Sequence, residues 1–175
     1  MKTTIKSLVV ALFLVGLSNV AFAQKTATAN AAAEVLQDLE INLDATLNEI
    51  NFGRISATTP GTVILDANDA ANNQNTGSIT NVARFQLVGA NGGVTVFYDG
   101  TVVLNSGPDN ITMTTQVVGD SNVANRASAI GIASGSTVTL VGNDYYLWIG
   151  GSLPALAGQE TGNYTGTFNI SAEYN

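Results

Sequence analysis

Cysteine and histidine are both absent from the 175 residues. Their absence excludes thiol nucleophiles, Ser-His-Asp triads, thiolate zinc sites, haem attachment through cysteine and disulfide stapling. Basic residues are scarce as well: six Lys and Arg stand against thirteen Asp and Glu, a net charge of −7. A phosphate backbone is gripped by clustered Lys and Arg, so nucleic acid is excluded as a partner. Charged residues make up 11% of the chain and apolar ones 45%, a balance that buries a core instead of staying disordered. Eighteen Gly and three Pro among many Thr, Asn, Ser and Ala leave little of the Glu, Lys and Leu that build long solvent-facing helices. The composition is that of strands joined by turns in one domain.

Long apolar runs are confined to the beginning. Lys2 and Lys6 flank the start of an apolar stretch from Leu8 to Leu17, and Val20-Ala21-Phe22-Ala23 ends in the small-x-small pattern that signal peptidase reads. Residues 1–23 are therefore expected to be a signal peptide cleaved after Ala23. The apolar stretch covers only about half of a ~30 Å hydrocarbon layer, so no membrane span is expected in the mature chain. That chain keeps Lys25, Arg54, Arg84 and Arg126 against all thirteen acids, a net charge of −9, which disfavours anionic lipid. Without cysteine, packing and backbone pairing alone must hold an exported domain together.

Residues 24–34 are small and polar, with Ala27, Ala29, Ala31 and Ala33 at every second position. They read as a strand with a weak apolar edge or as a disordered tail, with a helical turn over Ala31–Leu36 as a further alternative. From Val35 to Leu47 the two-residue rhythm continues, placing Val35, Leu39, Ile41 and Leu43 on one face. Further strands are expected at Ile50–Ile55, Thr62–Leu65, Val82–Val88, Val94–Tyr98, Thr101–Leu104, Ile111–Val118, Ser136–Val141 and Tyr145–Ile149. Asp99-Gly100 between two such runs signals a hairpin, and turns about every ten residues are the spacing of a β-sandwich or barrel. The last segment, residues 162–175, alternates most regularly of all: Tyr164, Gly166, Phe168, Ile170, Ala172 and Tyr174 share one face. A terminus patterned this well is expected to be paired in a sheet or captured by a partner.

These residues carry a resemblance. Pilin subunits of the bacterial chaperone–usher pathway end in an alternating apolar strand with a penultimate aromatic and a Gly fourteenth from the end; here Tyr174 is penultimate and Gly162 is fourteenth. Residues 35–43 and the Ile50–Ile55 run are similar to the first two strands of those subunits, and the Ala-rich residues 24–34 sit where their donor strand lies. The Asn51-Phe52-Gly53 strand, the Gly-x-x-x-Gly-Thr-Phe-like ending and the lack of cysteine also resemble a family of short secreted bacterial proteins of unknown function that is regarded as fimbrial. Many pilins carry a disulfide near the first strand, and this chain does not.

The resemblance implies an all-β, immunoglobulin-like (pilin-like) β-sandwich of about seven to ten strands over residues 35–175, one strand short, with residues 24–34 as an N-terminal extension. Its groove is filled first by a periplasmic chaperone and then, at an outer-membrane usher, by the extension of the next subunit. Carried over residue by residue, the donor face is Ala27, Ala29, Ala31, Ala33 and Val35, and the acceptor edge is Gly162, Tyr164, Phe168, Ile170 and Tyr174. The expected product is a homopolymer of like subunits, exported through the periplasm to the cell surface or beyond, because head-to-tail insertion does not close. A bulkier donor is Val35–Leu43 itself. A competing reading makes residues 24–34 a linker and the sandwich complete, a secreted binding module or adhesin recognising carbohydrate or protein.

Other constellations lead nowhere. The Asp66-Ala67-Asn68-Asp69 loop lacks the Gly and Glu of a calcium loop, with Ala71 and Gly77 in their places, and reads as a solvated turn. Tyr146 and Trp148 share one strand face and could stack on a sugar, but core packing is the better reading of Trp148. No acid–base or nucleophilic group stands out, so no enzyme, cofactor or metal is expected.

Overall fold

The computed structural model describes residues 25–175, so the expected signal peptide and its cleavage at Ala23 lie outside the described residues. Lys25 to Glu34 form no helix or strand and are exposed throughout. Among the described residues no helix is long and apolar enough to cross a membrane.

From Val35 onward the chain is an all-β sandwich of ten strands: β1 Glu40–Leu43, β2 Val63–Leu65, β3 Ala83–Val88, β4 Gly92–Tyr98, β5 Thr101–Ser106, β6 Asp109–Asp120, β7 Ile130–Gly131, β8 Ser136–Leu140, β9 Asp144–Leu153 and β10 Ile170–Tyr174. The large sheet runs β1-β3-β9-β6-β5, with β2 paired to the end of β9 and β7 to the end of β6; the small sheet is β10-β4-β8. All the pairings are antiparallel. Register follows the apolar alternation: Leu147 lies opposite Phe85 and Ile149 opposite Ala83 and Val117, so one face of the large sheet is apolar across its width. Leu87, Leu147, Ile149, Val94, Val96 and Leu140 are sealed between the sheets.

Several expectations need correction. Of the rhythm from Val35 to Leu47 only Glu40–Leu43 is a strand. Asp44 ends it, because its carboxylate accepts the N–H of Thr46 (2.9 Å) and Leu47 (2.8 Å) and pairs with Arg84. Pairing of β1 with β3 also removes Val35–Leu43 as a free donor. Ile50–Ile55 forms only one bridge, Asn51 to Asn81. The Asn51 side chain turns the backbone by accepting the Gly53 N–H at 2.7 Å, and Gly53 has φ +75, which breaks the strand.

Asp99-Gly100 is not a hairpin turn: β4 belongs to the small sheet and β5 to the large one, so the dipeptide carries the chain across the sandwich. The tight hairpin is Ser106-Gly107-Pro108-Asp109, joining β5 to β6 with Gly107 at φ +60. Gly142 and Asn143, at φ 68 and 72, likewise turn β8 of one sheet into β9 of the other. The final segment is a strand only from Ile170 to Tyr174, since the residues before it leave β4 and meet β5 at Thr165.

Candidate functional site

The apolar face of the large sheet extends beyond the small sheet that covers it. Towards the ends of β5, β6 and β9, no strand of the described residues lies over Val102, Ile111, Met113 and Leu153; two irregular segments pack there instead, one carrying Ile50, Phe52 and Ile55 and the other Leu156, Tyr164 and Phe168. Between the two segments runs a groove of about 750 Å³, walled by residues 48–57 and 159–168 and floored by Phe85, Val102, Leu104, Ile111, Met113 and Leu153.

The second wall presents an unpaired backbone edge. Antiparallel pairing uses alternate residues: Asn105 exchanges both hydrogen bonds with Thr165, the Asp99 N–H donates to the Asn169 carbonyl, and the Asn175 N–H donates to the Gly93 carbonyl. The odd-numbered residues thus face β4 and β5, and the N–H and C=O of Tyr164, Gly166, Phe168, Ile170, Ala172 and Tyr174 face the open side. Among the described residues those groups have no backbone partner. The side chains of the same residues point inward, yet Tyr164, Phe168, Ile170, Ala172 and Tyr174 are each only half-buried. Phe168 lies 6.2 Å from the ring centroids of both Phe85 and Tyr98 and still has an exposed flank.

Glycine is required where this wall meets β5. A Cβ on Gly166 would collide with the Val103 carbonyl and one on Gly162 with the Ser106 side chain. Of the charged residues, Glu49 and Glu160 line the groove, with no Lys or Arg among the lining. Loss of solvent raises the Tyr164 phenol above its ordinary range, and the carboxylates of Asp109 and Glu160 push it the same way.

The structure thus brings Gly162, Tyr164 and Phe168 to the groove and sets Ile170 and Tyr174 further along the same edge. Ala27, Ala29, Ala31 and Ala33 belong to the strandless exposed residues, and Val35 is 94% exposed. Sequence reasoning missed the floor and the first wall as parts of the site. Their signal was present as Ile50 with Phe52, Val102 with Leu104 and Ile111 with Met113, each pair two residues apart, but nothing in the spacing says that no strand covers them.

The aromatic alternative resolves differently. Trp148 is buried on the other face of the large sheet, beside Tyr146 and Val118 and under Ala67 and Ala129. The covering loops are pinned: Arg126 Nε donates to the Ala67 carbonyl at 2.8 Å, and Asn68 Nδ2 donates to the carbonyls of Arg126 and Ala129 at 3.0 and 2.8 Å. Asp66 and Asp69 are engaged by backbone N–H groups, of Asn68 and Asp69 in the first case and of Ala71 in the second, as turn-forming Asp residues are.

Residues 41–174 match the family described as a domain of unknown function (DUF4402). The match runs from the second residue of β1 to the last of β10, the whole sandwich, and leaves residues 25–40 outside it. No curated protein matches the sequence.

Proposed function

The chain belongs to the DUF4402 family, and we propose that it is a non-enzymatic structural subunit of a bacterial surface fibre, assembled when the N-terminal extension of one copy enters the groove of the next. The observation that carries this reading is the apolar groove bordered by the unpaired backbone edge from Tyr164 to Tyr174. An edge of this kind templates an added strand, with backbone hydrogen bonds giving affinity and alternate side chains filling the floor. The donor is Ala27, Ala29, Ala31, Ala33 and Val35, and the extension has no strand of its own.

Alanine makes a modest donor side chain. At about 0.8 kcal/mol per buried CH₂, four methyls supply only a few kcal/mol. The remainder comes from the backbone ladder and from covering Tyr164, Phe168 and Leu104, which are partly exposed while the groove is empty. A periplasmic chaperone and an outer-membrane usher are the partners this reading requires, because an open edge on an exported subunit must be shielded until assembly. A carbohydrate-binding module is the weaker reading, since Trp148, its best stacking platform, is buried.

The test compares residues 24–175 with the same chain carrying a second copy of residues 24–36 linked after Asn175. The natural chain is expected to form boiling-resistant ladders, and the extended one to be a monomer that melts far higher. Two equally stable monomers would show a self-sufficient sandwich and sink the proposal.

A further inference from the structure

The small sheet has two edges, and only one of them belongs to the last segment. Its strand order, β10-β4-β8, puts β8 on the opposite flank. Gly93 of β4 accepts the Asn175 N–H, so the odd-numbered residues of β4 bond towards β10 and the even-numbered ones towards β8. Gly92, Val94 and Val96 are accordingly the residues that exchange bonds with Leu140, Val138 and Ser136. The N–H and C=O of Thr137 and Thr139 point away from β4, and among the described residues they have no backbone partner.

Proteins blunt their sheet edges with charge, proline, a covering segment or extreme shortness. Such devices guard other edges of this sandwich: β1 carries Glu40 and runs into Asp44, β5 is bridged by Thr165, and β7 has only two residues. β8, with the sequence Ser-Thr-Val-Thr-Leu, has none of them. No charged residue lies between Arg126 and Asp144. In a chain whose acidic residues so outnumber its basic ones, this edge is where a second copy approaches with least repulsion.

The strand is also complementary to itself. An antiparallel partner related by a two-fold axis through Val138 sets Val138 against Val138, and Thr137 against Thr139 on either side of the axis. Those threonines hold the free backbone groups, so each Thr137–Thr139 pair exchanges both of its hydrogen bonds. Their exposed, β-branched side chains meet on the outer face. Just beyond the paired residues, Val141 of one copy arrives beside Gly135 of the other, where a Cβ would stand 3.8 Å from the Phe97 ring. Val141 and Phe97 are 60% and 42% exposed in the single chain, so the same pairing covers two exposed apolar side chains.

From this we infer that β8 is a self-pairing edge: two copies join through it, antiparallel and two-fold, and their three-stranded sheets become one continuous sheet. The interface makes no use of the groove, and the inference does not rest on fibre formation. A contact of one short strand a side is small, so the pair forms in concentrated solution and not in dilute.

The absence of cysteine makes the test direct. Chains carrying Thr137→Cys and chains carrying Thr139→Cys are oxidised with glutathione disulfide in concentrated solution, each alone and as an equal mixture. The mixture is expected to form disulfide dimers several-fold faster than either chain alone. Only the unlike pair lies directly opposite, about 5.5 Å apart at Cα, within a disulfide's reach; like residues are displaced by two positions along the strands. A second arm uses the chain with residues 24–36 repeated after Asn175, so that any strand-filled groove is already occupied. There Thr139→Pro, which removes an N–H that β4 does not use, is expected to lower the dimer fraction in sedimentation at high concentration while the circular dichroism spectrum and melting temperature hold. Equal oxidation rates in the three samples, a faster rate in either chain alone, or a dimer that Thr139→Pro leaves intact would overturn the inference. Ladders on gels enter neither readout, so the fibre reading and this one stand or fall separately.

Discussion

Trp148 shows how one side chain is spent on stability. It is 1% exposed and sits under loops that Arg126 and Asn68 tie to each other and that the Gln116 side chain of β6 anchors by accepting the Ala67 N–H at 2.9 Å. Trp148→Ala is expected to cost about 3–5 kcal/mol, read as a fall in melting temperature, with the groove edge unchanged by hydrogen exchange. Gly166 works by having no side chain. Gly166→Val forces the last segment away from the Val103 carbonyl. It is expected to destabilise by about 1–3 kcal/mol and to shrink the rise in melting temperature that an appended copy of residues 24–36 gives. Asp44 holds the end of β1 through the N–H groups of Leu47 and Thr46 and the Arg84 guanidinium, which hold its carboxyl well below the usual carboxylate range. A folded-state pKa below the unfolded value of about 3.9 contributes stability above that pH and loses it as pH falls through the lower folded value. The stability deficit of Asp44→Asn is therefore expected to be constant from neutral pH to about 5 and to shrink below about 4, as urea titrations across pH would show.

At the level of elements, turn chemistry proved less informative than sheet membership. Asp99-Gly100 has the residues of a hairpin, but Val94 and Val96 are buried in the small sheet while Val102 is buried in the large one, and packing decided the partners. The Asp99 carboxylate is used instead to hold Asn169, accepting its N–H at 3.0 Å and its Nδ2 at 2.8 Å, and so steers the last segment from β4 towards β5. The extension is a separate element with a separable effect. Deleting residues 24–34 takes away Lys25–Glu34, which are exposed and in no strand, so the melting temperature of dilute chain is expected to change little, while ladders of any length disappear on unheated gels.

For the molecule as a whole, charge opposes self-association. The four basic residues after position 24 face thirteen acidic ones, and the groove rim adds Glu49 and Glu160 to the same sign, so neighbouring copies repel. Assembly is accordingly expected to accelerate as ionic strength rises from about 10 mM to 150 mM, as the Debye length falls from about 30 to 8 Å. Light scattering against salt reads this directly; a rate that drops with salt would mean that an attractive charge pairing governs the encounter.

Much of this protein follows from local pattern. The positions of most strands from β2 to β9, the all-β class, the buried Trp148 and the alternating faces of the last segment are legible because a period of two and Gly- or Asn-rich turns are properties of neighbouring residues. The alternation from Tyr164 to Tyr174 by itself marked the inward face of the edge that borders the groove. Three dimensions decided which strands share a sheet, that Ile50–Ile55 is a wall instead of a strand, and that Val102, Leu104, Ile111 and Met113 form a floor with no strand of the described residues above it. The physical reason is that a missing strand leaves no trace in local periodicity: the residues that would touch it are as apolar as any core, and only the packing of distant segments shows which of them remain half-covered.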